Sequence, residues 1–442
     1  MAFLVYNLIL FILSPAIALF ILWRIVVTGK SRRSWREQIG LVKVPEEIRG
    51  RERIWIHAVS VGESVASAAV VTELKKLLPD VAVVISTTTQ TGQEMARKSV
   101  KDADGFLYYP FDLLPFVERS IDRVRPVVFA STDTEIWPNF RHVARKRGVR
   151  SAIVNGTVSD RTIRGARWAP WLYRWTLGNV DRFCMQSQAD ADRIVSLGAD
   201  PARVTVTGNC KADEAAVPMS DAEKDELRRS FKLPEGAPVF VAGSTNPGED
   251  GPVMDAFIDA RKSHPSLRLI VAPRQVERRE EICALAKERG LSCGWRSDPA
   301  SIEGGEDVII LDTFGELARI YGIADVTFVG GSLIPRGCHS ILQPISQGKP
   351  VFFGPYTFKA RDLVSQAKAE GVGFEVRDGA HLGEELSRFL DDRALLDDVR
   401  IRCERMMSAN LGASKRTAAA LVELYAENAI TETRNSGKHG RE

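Results

Sequence analysis

The sequence lacks the cysteine and histidine patterns that mark metal sites and disulfide frameworks. Its six cysteines are scattered without a Cys-x-x-Cys pair, and its six histidines are equally dispersed. We therefore expect reduced, mostly buried thiols in a cytosolic compartment and no metal held by the protein. A strong charge of one sign is also missing, because 60 basic residues nearly balance 57 acidic ones, for a net charge of +3. That excess is too small to indicate a nucleic-acid partner.

The first thirty residues differ in composition from everything that follows. No charged residue occurs between Phe3 and Trp23, and this length matches the roughly 20 residues with which a helix crosses a bilayer. Basic residues follow at once, at positions 24, 30, 32, 33 and 36. This flank predicts an uncleaved N-terminal anchor whose C-terminal side is cytoplasmic. A cleaved signal peptide is the alternative, although the basic residues come after the apolar core and no small-residue cleavage site follows.

Short β-rich runs alternate with amphipathic stretches from Arg53 onward. Runs such as Val81–Ser86, Val127–Ala130 and Ser151–Val154 form one series, and a second series begins at Val239–Ala242. This alternation predicts βαβ units, parallel sheets and an α/β fold. The architecture we expect is two Rossmann-like domains that face each other across a cleft.

These patterns predict five segments. They are an anchor over 1–30, a first Rossmann-like domain over 31–215, a linker over 216–236, a second Rossmann-like domain over 237–428 and a disordered tail over 429–442. The linker is charged and carries prolines, with some helix expected within Asp221–Phe231. Residues 391–428 read as long and helical.

The segment His57–Glu63 joins an apolar strand to a helical pattern that runs from Ser64 to Leu77. Glu63 falls in the first helical turn, where free backbone N–H groups favour an ionised carboxylate. It also lies at the carboxyl edge of the predicted sheet, where open α/β folds bind ligands. An ionised carboxylate there is a candidate general base. The alternative is an acidic residue that only stabilises its helix.

Three further loops of the first half end at the same sheet edge. The hydroxyl-rich loop Thr87–Gly92 could bind an anion at a helix start, or could simply cap that helix. The loop Asp133–Asn139 carries two carboxylates before Trp-Pro, or it is only a helix start with proline. Lys211 follows the last strand, where it could face an anionic group or remain solvated.

The loops of the second half are rich in glycine, hydroxyl and basic residues. They are Gly243–Glu249, Ala272–Gln275, Asp312–Leu317, Gly330–Ser332 and Gly337–Gln343. Arg274 can pair with a phosphate through two hydrogen bonds, and the helix start led by Gly315 suits a phosphate near its N–H groups. A single loop of this kind usually serves a turn, but five together predict a nucleotide-binding site.

In this order, these loops resemble the 3-deoxy-D-manno-octulosonic acid (Kdo) transferases of Gram-negative bacteria, from the anchor to about Tyr425. The matching segments read HAVSVGE, STTTQTG, TEIWPN, VTVTGNCKAD, APRQVER, DTFGEL, YGIADVTFVGGSL and FGPYTFKARD. The resemblance implies a GT-B fold and a glycosyltransferase without a cofactor, at the cytoplasmic face of the inner membrane. It also implies inverting transfer of Kdo from CMP-Kdo to a lipid A precursor, in lipopolysaccharide core biosynthesis.

The same resemblance assigns roles to individual residues. Glu63 would accept the proton of the acceptor hydroxyl, and Asp133 and Lys211 would stabilise the transition state. The CMP of the donor would be held by a set of residues in the second half: Pro273, Arg274, Phe314, Gly315, Glu316, Ser340, Ile341, Leu342 and Gln343.

The chain departs from the family pattern mainly in the donor loops. Where the family usually reads GGHNPLEP, this chain reads GCHSILQP, so Gln343 replaces a carboxylate and Ser340 an asparagine. Asn246 and Gln275 stand where the family has histidines. An uncharged amide is a weaker partner for a ribose hydroxyl than a carboxylate is.

Two departures lie in the first half, where Asp133 replaces a glutamate and Thr157 an arginine. All the departures together leave two alternatives open. One is a divergent paralogue that uses another nucleotide sugar on a cell-envelope acceptor. The other is a glycosyltransferase-like scaffold that binds a lipid or a partner without catalysis.

Overall fold

The structure is a computed structural model that describes residues 1–26, 34–59, 61–214 and 218–439. Contacts divide the chain into two compact units. The first unit contains residues 1–214 and 410–442, and the second contains residues 215–409. Each unit is built on its own parallel sheet, as the alternation of strand and helix patterns predicted.

The first sheet orders its described strands as β3-β2-β1-β4-β5-β6-β7, all parallel. The strands are β1 (Arg53–His57), β2 (Ala82–Thr87), β3 (Gly105–Tyr108), β4 (Val128–Thr132), β5 (Arg150–Gly156), β6 (Arg182–Met185) and β7 (Val204–Val206). Because helices cover both faces, the central strands are buried along nearly their whole length, and β2 is buried at every position.

Helices connect these strands and flank the sheet. In chain order they are α1 (Ala2–Val26), α2 (Trp35–Gln38), α3 (Val61–Leu77), α4 (Gln90–Ser99), α5 (Leu114–Val124), α6 (Pro138–Lys146), α7 (Asp160–Ala166), α8 (Pro170–Leu177) and α9 (Gln188–Ser196). Short 3-10 turns lie at Glu46–Ile48, Pro201–Arg203 and Cys210–Glu214.

The second sheet orders its described strands as β10-β11-β9-β8-β12-β13-β14, again all parallel. The strands are β8 (Val239–Thr245), β9 (Arg268–Pro273), β10 (Cys293–Trp295), β11 (Val308–Ile310), β12 (Val326–Val329), β13 (Val351–Phe353) and β14 (Gly373–Glu375). The helices of the second unit are α10 (Asp221–Ser230), α11 (Asp250–Arg261), α12 (Arg279–Glu288), α13 (Leu317–Ile320), α14 (Leu342–Ser346), α15 (Arg361–Ala369), α16 (Gly379–Asp391) and α17 (Arg393–Asn410). Further 3-10 turns lie at Val276–Arg278, Pro299–Ser301 and Tyr321–Ile323.

Both sheets reverse their strand order beside their first strand. In the first unit the chain moves outward from β1 to β3 and then returns to pair β4 with β1; in the second, β12 returns in the same way to pair with β8. Loops that follow the two strands at such a reversal diverge to opposite faces of the sheet and leave a crevice between them. Ligand sites of open α/β sheets lie at this point. In this chain the point is formed by the loops after β1 and β4 in the first unit, and after β8 and β12 in the second.

In the C-terminal part of the chain, the structure differs from the predicted domain boundaries. The long helical stretch is two helices, because Gly412, with φ +76°, separates α17 from α18 (Ala413–His439). α18 packs on α3 of the first unit, where Leu421 and Leu424 are buried. Residues 410–428 therefore belong to the first unit rather than to the second.

The tail prediction also needs correction. The backbone from 429 to His439 continues α18 as helix, because each added residue extends an existing helix by one hydrogen bond without a new nucleation step. The predicted linker is wrong in part as well. Its helix, α10, begins with a capping box at Ser220, and Arg228 donates to the carbonyls of Ala237 and Ile323. This segment is a packed part of the second unit.

At the N-terminus, α1 is helical over the stretch predicted as an anchor, with Pro15 inside it. Within the part of the chain that the structure describes, no helix meets the length and apolarity needed to cross a membrane. Part of the predicted anchor, residues 27–30, lies outside the described residues.

Candidate functional site

Glu63 lies where the sequence placed it, in the first turn of α3 directly after β1. Its Oε2 accepts a hydrogen bond of 2.7 Å from the backbone N–H of Val59. The hydroxyl of Thr132, at the end of β4, lies 3.1 Å from the same oxygen and 2.9 Å from the carbonyl of His57. The carboxylate is therefore held at the reversal point between β1 and β4, by groups from both strand ends.

Asp133 follows β4 in a left-handed conformation, with φ +60°. Aspartate tolerates this region better than most residues, and its side chain is fixed by local donors. Oδ1 accepts from the N–H of Thr134 at 2.7 Å, from the N–H of Thr157 at 3.3 Å and from the hydroxyl of Thr157 at 2.6 Å. The two first-half departures from the family pattern therefore contact each other, which the sequence alone did not reveal.

Glu135 is a third carboxylate of this site, and no role was assigned to it from the sequence. Burial, followed by the charges of Glu63 and Asp133, raises the pKa of Glu135 to about 7, against a smaller lowering by Arg141. These interactions place Glu135 close to both carboxylates. Near neutral pH this side chain therefore alternates between a neutral acid and a charged base.

A stack of aromatic rings lies behind the carboxylates. His57 stacks on Tyr109 with ring centroids 3.8 Å apart, and the ring of Trp137 lies 5.1 Å from that of Tyr109. Burial lowers the pKa of His57 to about 3, and the 3.1 Å contact of its Nδ1 with the Ser86 carbonyl assigns the proton of the neutral ring to Nδ1. His57 is therefore a neutral, buried ring that packs behind the carboxylates.

The helix that follows the Asp133–Trp137 loop is capped from a distance. Asp112 accepts from the N–H groups of Asn139 and Phe140 at 3.0 and 2.9 Å, although it lies 27 residues earlier in the chain. Burial raises the pKa of Asp112 to about 7, while those N–H groups oppose the shift. No local motif announces such a cap, because the contact depends on the tertiary fold. It fixes where α6 begins, and so where the loop ends.

Lys211 lies in the 3-10 turn after β7 and is half-buried. The N–H of Cys210 donates to Asn155 Oδ1 at 2.9 Å, which holds this turn against the end of β5. Because β5 neighbours β4 in the sheet, the turn reaches the same carboxyl edge as Asp133. The structure thus brings all three predicted catalytic residues to one edge of the first sheet. It leaves their roles as predictions.

The hydroxyl-rich loop Thr87–Gly92 was expected either to bind an anion or to cap a helix, and in the structure it caps a helix. The Thr89 side chain accepts from the N–H of Gly92 at 3.1 Å and so caps α4. Gly62 lies inside the first turn of α3, which begins at Val61, three residues before the predicted helical pattern.

In the second unit, a buried carboxylate joins the loops at the reversal between β8 and β12. Glu249 accepts from the N–H of Asn246 at 2.9 Å, and from those of Gly331, Ser332 and Leu333 at 2.7, 3.0 and 3.0 Å. Four N–H groups stabilise the buried charge without a cationic partner. Glu249 stood in a loop singled out from the sequence, but the glycine-rich segment that it holds lies more than 80 residues away.

Three cationic or ionisable side chains gather beside this loop. His339 is half-buried, and burial lowers its pKa, followed by the charges of Arg274 and Lys359. Neither Arg274 nor Lys359 pairs with a carboxylate among the described residues, and both are exposed. The backbone N–H of Arg274 donates to the carbonyl of Thr245 at 2.9 Å, which joins the loop after β9 to the end of β8. This cluster can bind a phosphate, and Lys359 and His339 are members that the sequence did not single out.

The Asp312–Leu317 loop presents an aromatic ring and a fixed carboxylate. The ring of Phe314 is 80% exposed, and Gly315 has a φ of +86°, which favours glycine. Burial alone would raise the pKa of Glu316, but hydrogen bonds from Thr313 and Arg296 outweigh it and hold that pKa below its ordinary value. Glu316 is therefore an ionised hydrogen-bond acceptor beside an exposed ring.

The altered turn splits into exposed and buried residues. Ser340 is exposed and Gln343 is half-buried, at the start of α14, so both side chains can reach a ligand. Ile341 and Leu342 are buried in the core, as is the ring of Pro273 after β9. These three predicted donor residues can contact a nucleotide only through exposed backbone atoms. Among the residues described, no cluster of three or more His, Cys, Asp or Glu is placed to hold a metal ion.

Comparison with known proteins decides the family. A sequence model of the 3-deoxy-D-manno-octulosonic-acid transferase (kdotransferase) matches residues 33–214. A 3-deoxy-D-manno-octulosonic acid transferase of Haemophilus influenzae is 30% identical over 363 residues, which cover 81% of this chain and 83% of the relative. The chain belongs to the Kdo transferase family. It is a glycosyltransferase.

A second relative is longer than this chain. A bifunctional glycosyltransferase/methyltransferase of Fusobacterium nucleatum is 34% identical over 334 residues, which cover 75% of this chain but only 51% of the relative. The chain thus spans about half the length of that protein. Among solved structures, a glycosyltransferase from Rickettsia africae matches 86% of the chain and 99% of its own, with a TM-score of 0.53 at 11% identity. That likeness confirms the fold class of two parallel-sheet α/β domains of the GT-B kind.

The match to the family model, residues 33–214, contains all three predicted catalytic residues of this chain. The structure adds further residues to the candidate site. They are Glu135 and Asp112 in the first unit, and Glu249, His339 and Lys359 in the second. Glu135, Glu249 and His339 stand in loops that the sequence singled out, but the contacts of all five join parts of the chain that are distant in sequence.

Proposed function

We propose that the protein transfers Kdo from CMP-Kdo to a lipid A precursor at the cytoplasmic face of a bacterial inner membrane. The observation that carries the proposal is the fixed carboxylate of Glu63, held at the strand reversal by Val59 and Thr132 with Asp133 beside it. The family membership supports the sugar, because two relatives named as Kdo transferases share 30% identity with the chain.

In the proposed reaction, Glu63 takes the proton of an acceptor hydroxyl as that oxygen attacks the anomeric carbon of the sugar. The bond from the anomeric carbon to the phosphate oxygen breaks, and CMP leaves with the electron pair. One new glycosidic bond replaces one phosphate ester bond, with inversion at carbon. Positive charge should surround the leaving phosphate, as Arg274 and Lys359 can provide. The exposed ring of Phe314 offers a face for the base of the nucleotide, and Glu316 an acceptor for its hydroxyls.

The test is transfer of Kdo from CMP-Kdo to a tetraacylated lipid A precursor by the purified full chain. Removal of a general base typically costs about 10²–10⁴ in rate, so Glu63→Gln should lose transfer by this factor while CMP-Kdo binding persists. The matched control is Glu73→Gln, on the same helix α3, whose carboxylate pairs only with the exposed Lys76. Full activity of Glu63→Gln would refute the assignment of the base.

We propose further that residues 1–30 hold the protein at the membrane. The apolar composition and the basic flank support this, together with the exposed apolar side chains of α1 at Leu4, Leu8, Phe11 and Ile12. In cells, the chain should remain in the membrane pellet after extraction at alkaline pH. Release into the supernatant would contradict an anchor.

A second candidate function is favoured by one observation, the uncharged turn Ser340–Gln343 on the donor side. A divergent transferase that uses another nucleotide sugar on a cell-envelope acceptor would account for it. A panel of CMP and UDP sugars, compared by binding to the full chain, separates the two candidates. Tight and selective CMP-Kdo binding would exclude the second, whereas preference for another donor would replace the first. Failure to turn over any donor would leave the non-catalytic scaffold.

A further inference from the structure

The first two turns of α1 are bonded to the body of the first unit. The hydroxyl of Tyr6 donates to the buried Asp112 at 2.9 Å. Asn7 and Asn139 exchange a pair of amide hydrogen bonds at 2.8 and 2.9 Å. The ring of Phe3 lies 4.3 Å from that of His142. The start of α1 therefore sits on α6, the helix that follows the Asp133–Trp137 loop.

The side chains of α1 divide into two faces with helical spacing. Phe3, Tyr6, Asn7, Leu10 and Ser14 are half-buried, at intervals of three and four residues. The exposed positions between them are apolar without exception up to residue 13: Leu4, Val5, Leu8, Ile9, Phe11, Ile12 and Leu13. One face of α1 thus binds the protein, and the other is an apolar surface of a size that soluble proteins rarely expose.

A basic and aromatic surface adjoins this helix. It consists of Arg161, Arg164, Arg167, Trp168, Trp171 and Arg174, on α7, α8 and the turn between them. All six side chains are exposed, Trp168 by 91%. No acidic residue occurs from 161 to 178, and none of these arginines pairs with a carboxylate among the described residues.

The two features are neighbours, because α8 also contacts α1. The ring of Trp175 lies 5.9 Å from that of Phe3 and 6.3 Å from that of Tyr6, and Trp171 is one helical turn earlier on α8. Tryptophans favour the boundary between water and lipid, and arginines favour anionic headgroups. An apolar face beside unpaired arginines and exposed tryptophans is complementary to an anionic bilayer surface.

We propose that α1 lies in the membrane interface with its N-terminus on the same side as the catalytic units, and that the basic and aromatic surface binds the same anionic leaflet. A helix that crossed the bilayer would carry residues 3–7 to the far side and break their bonds to Asp112 and Asn139. The protein is then monotopic, and its active-site unit is fixed to the lipid by two separate contacts. This inference rests on the proposed membrane location, and it concerns how the protein binds rather than what it transfers.

The first experiment tests the side of the N-terminus. Ala2→Cys is expressed in the full chain, and intact spheroplasts are treated with a membrane-impermeant maleimide. The interfacial arrangement predicts labelling only after lysis in detergent, as for the control Arg393→Cys on the second unit. Labelling of Ala2→Cys in intact spheroplasts would show a crossing helix and overturn the proposal.

The second experiment tests the basic and aromatic surface on purified full chain. Binding is measured to vesicles of phosphatidylcholine alone and of phosphatidylcholine with phosphatidylglycerol, since α1 contributes to both. Arg161→Gln with Arg164→Gln should weaken binding to the anionic vesicles by about tenfold or more, and leave neutral binding unchanged. The control, Arg229→Gln with Arg393→Gln, removes the same charge from exposed positions of the second unit and should bind as the parent does.

A third measurement locates the tryptophans directly. Brominated lipids should quench part of the tryptophan fluorescence, and this part should fall in Trp168→Phe with Trp171→Phe but not in Trp295→Phe. The proposed role of the basic and aromatic surface would be refuted by either of two results. One is equal binding of both double arginine variants to the anionic vesicles, and the other is unchanged quenching in the tryptophan variant. Binding to heparin in place of vesicles would refute it too, and would assign the arginines to a soluble polyanion. None of these readouts uses CMP-Kdo, so their failure is separate from failure of the transferase assay.

Discussion

At the scale of single residues, the carboxylates beside β1 and β4 show how closely the site depends on its neighbours. Glu63 was identifiable from the sequence, because a strand, a helix start and a carboxylate are all local features. Glu135 was not, because its unusual titration arises from burial and from two charges that other loops bring near it. Both side chains are glutamates, so the difference lies in their environments. A role that depends on local features can be predicted from the sequence, whereas one that depends on tertiary contacts cannot.

Glu135 should make stability depend on pH. Its folded-state pKa of about 7 lies above the ordinary 4.5, so unfolding releases a proton between these values. This contribution to stability is complete below pH 4.5 and is lost as the pH rises towards 7, by about 2–3 kcal/mol. Urea unfolding at pH 5 and pH 8 should therefore show a smaller difference in Glu135→Gln than in the parent. Identical pH profiles would exclude the raised pKa. The other buried acids are the same in both proteins and cancel in the comparison.

The contact between Asp133 and Thr157 gives a second prediction at this scale. Thr157→Val keeps the shape of the side chain and removes the 2.6 Å hydrogen bond to the carboxylate. A hydrogen bond to a charged group contributes about 1.5–3 kcal/mol, so kcat should fall by about tenfold or more if Asp133 acts in the transition state. Thr205→Val, on the exposed edge strand β7, is the control and should retain kcat. A change in KM alone would assign the pair to acceptor binding instead.

At the scale of elements, the strands were predicted from local patterns. The apolar runs of β2, β4, β5 and β8 were read close to their true positions. Two errors followed from contacts that the local pattern does not contain. The segment 216–236 was read as a linker with some helix, although α10 packs on the second unit. The stretch 391–428 was read as long and helical and assigned to the second domain, whereas Gly412 divides it and α18 belongs to the first unit.

We call the contact of Glu249 with four backbone N–H groups the Glu249 clamp, and its loss should destabilise the second unit. Glu249→Gln replaces an acceptor of four N–H groups by an amide that can satisfy only part of them. Leaving buried donors unsatisfied costs about 1–3 kcal/mol, so the melting temperature should fall. Hydrogen exchange should rise at Gly331, Ser332 and Leu333. The exposed Glu277→Gln is the matched control. Unchanged exchange in that loop would show that the clamp does not hold it.

At the scale of the whole molecule, the sequence predicted two α/β domains, and comparison confirmed the family. What it could not predict is that the first unit is discontinuous. Leu421 and Leu424 are buried against α3, which lies more than 340 residues earlier in the chain. No local pattern in either segment predicts this contact. The predicted catalytic residues reached one sheet edge because strand order, which βαβ patterns suggest, already places them there.

Leu421→Ala tests the role of α18. Removal of a buried leucine side chain costs about 2–5 kcal/mol, so hydrogen exchange should become faster in α3 and α18. The second unit should exchange as before, since the lost contact belongs wholly to the first. Leu411→Ala, at a half-exposed position before α18, should change neither. Equal acceleration in both units would show that they unfold together.

The return of α18 to the first unit also has a consequence for synthesis on the ribosome. The second unit is continuous over residues 215–409 and can complete its sheet as soon as it has left the exit tunnel. The first unit emerges earlier but lacks the helix that covers α3 until residues 413–439 have been synthesised. Until then its apolar surface stays open, and a nascent chain stopped before Asn410 should be a preferred substrate for chaperones and proteases.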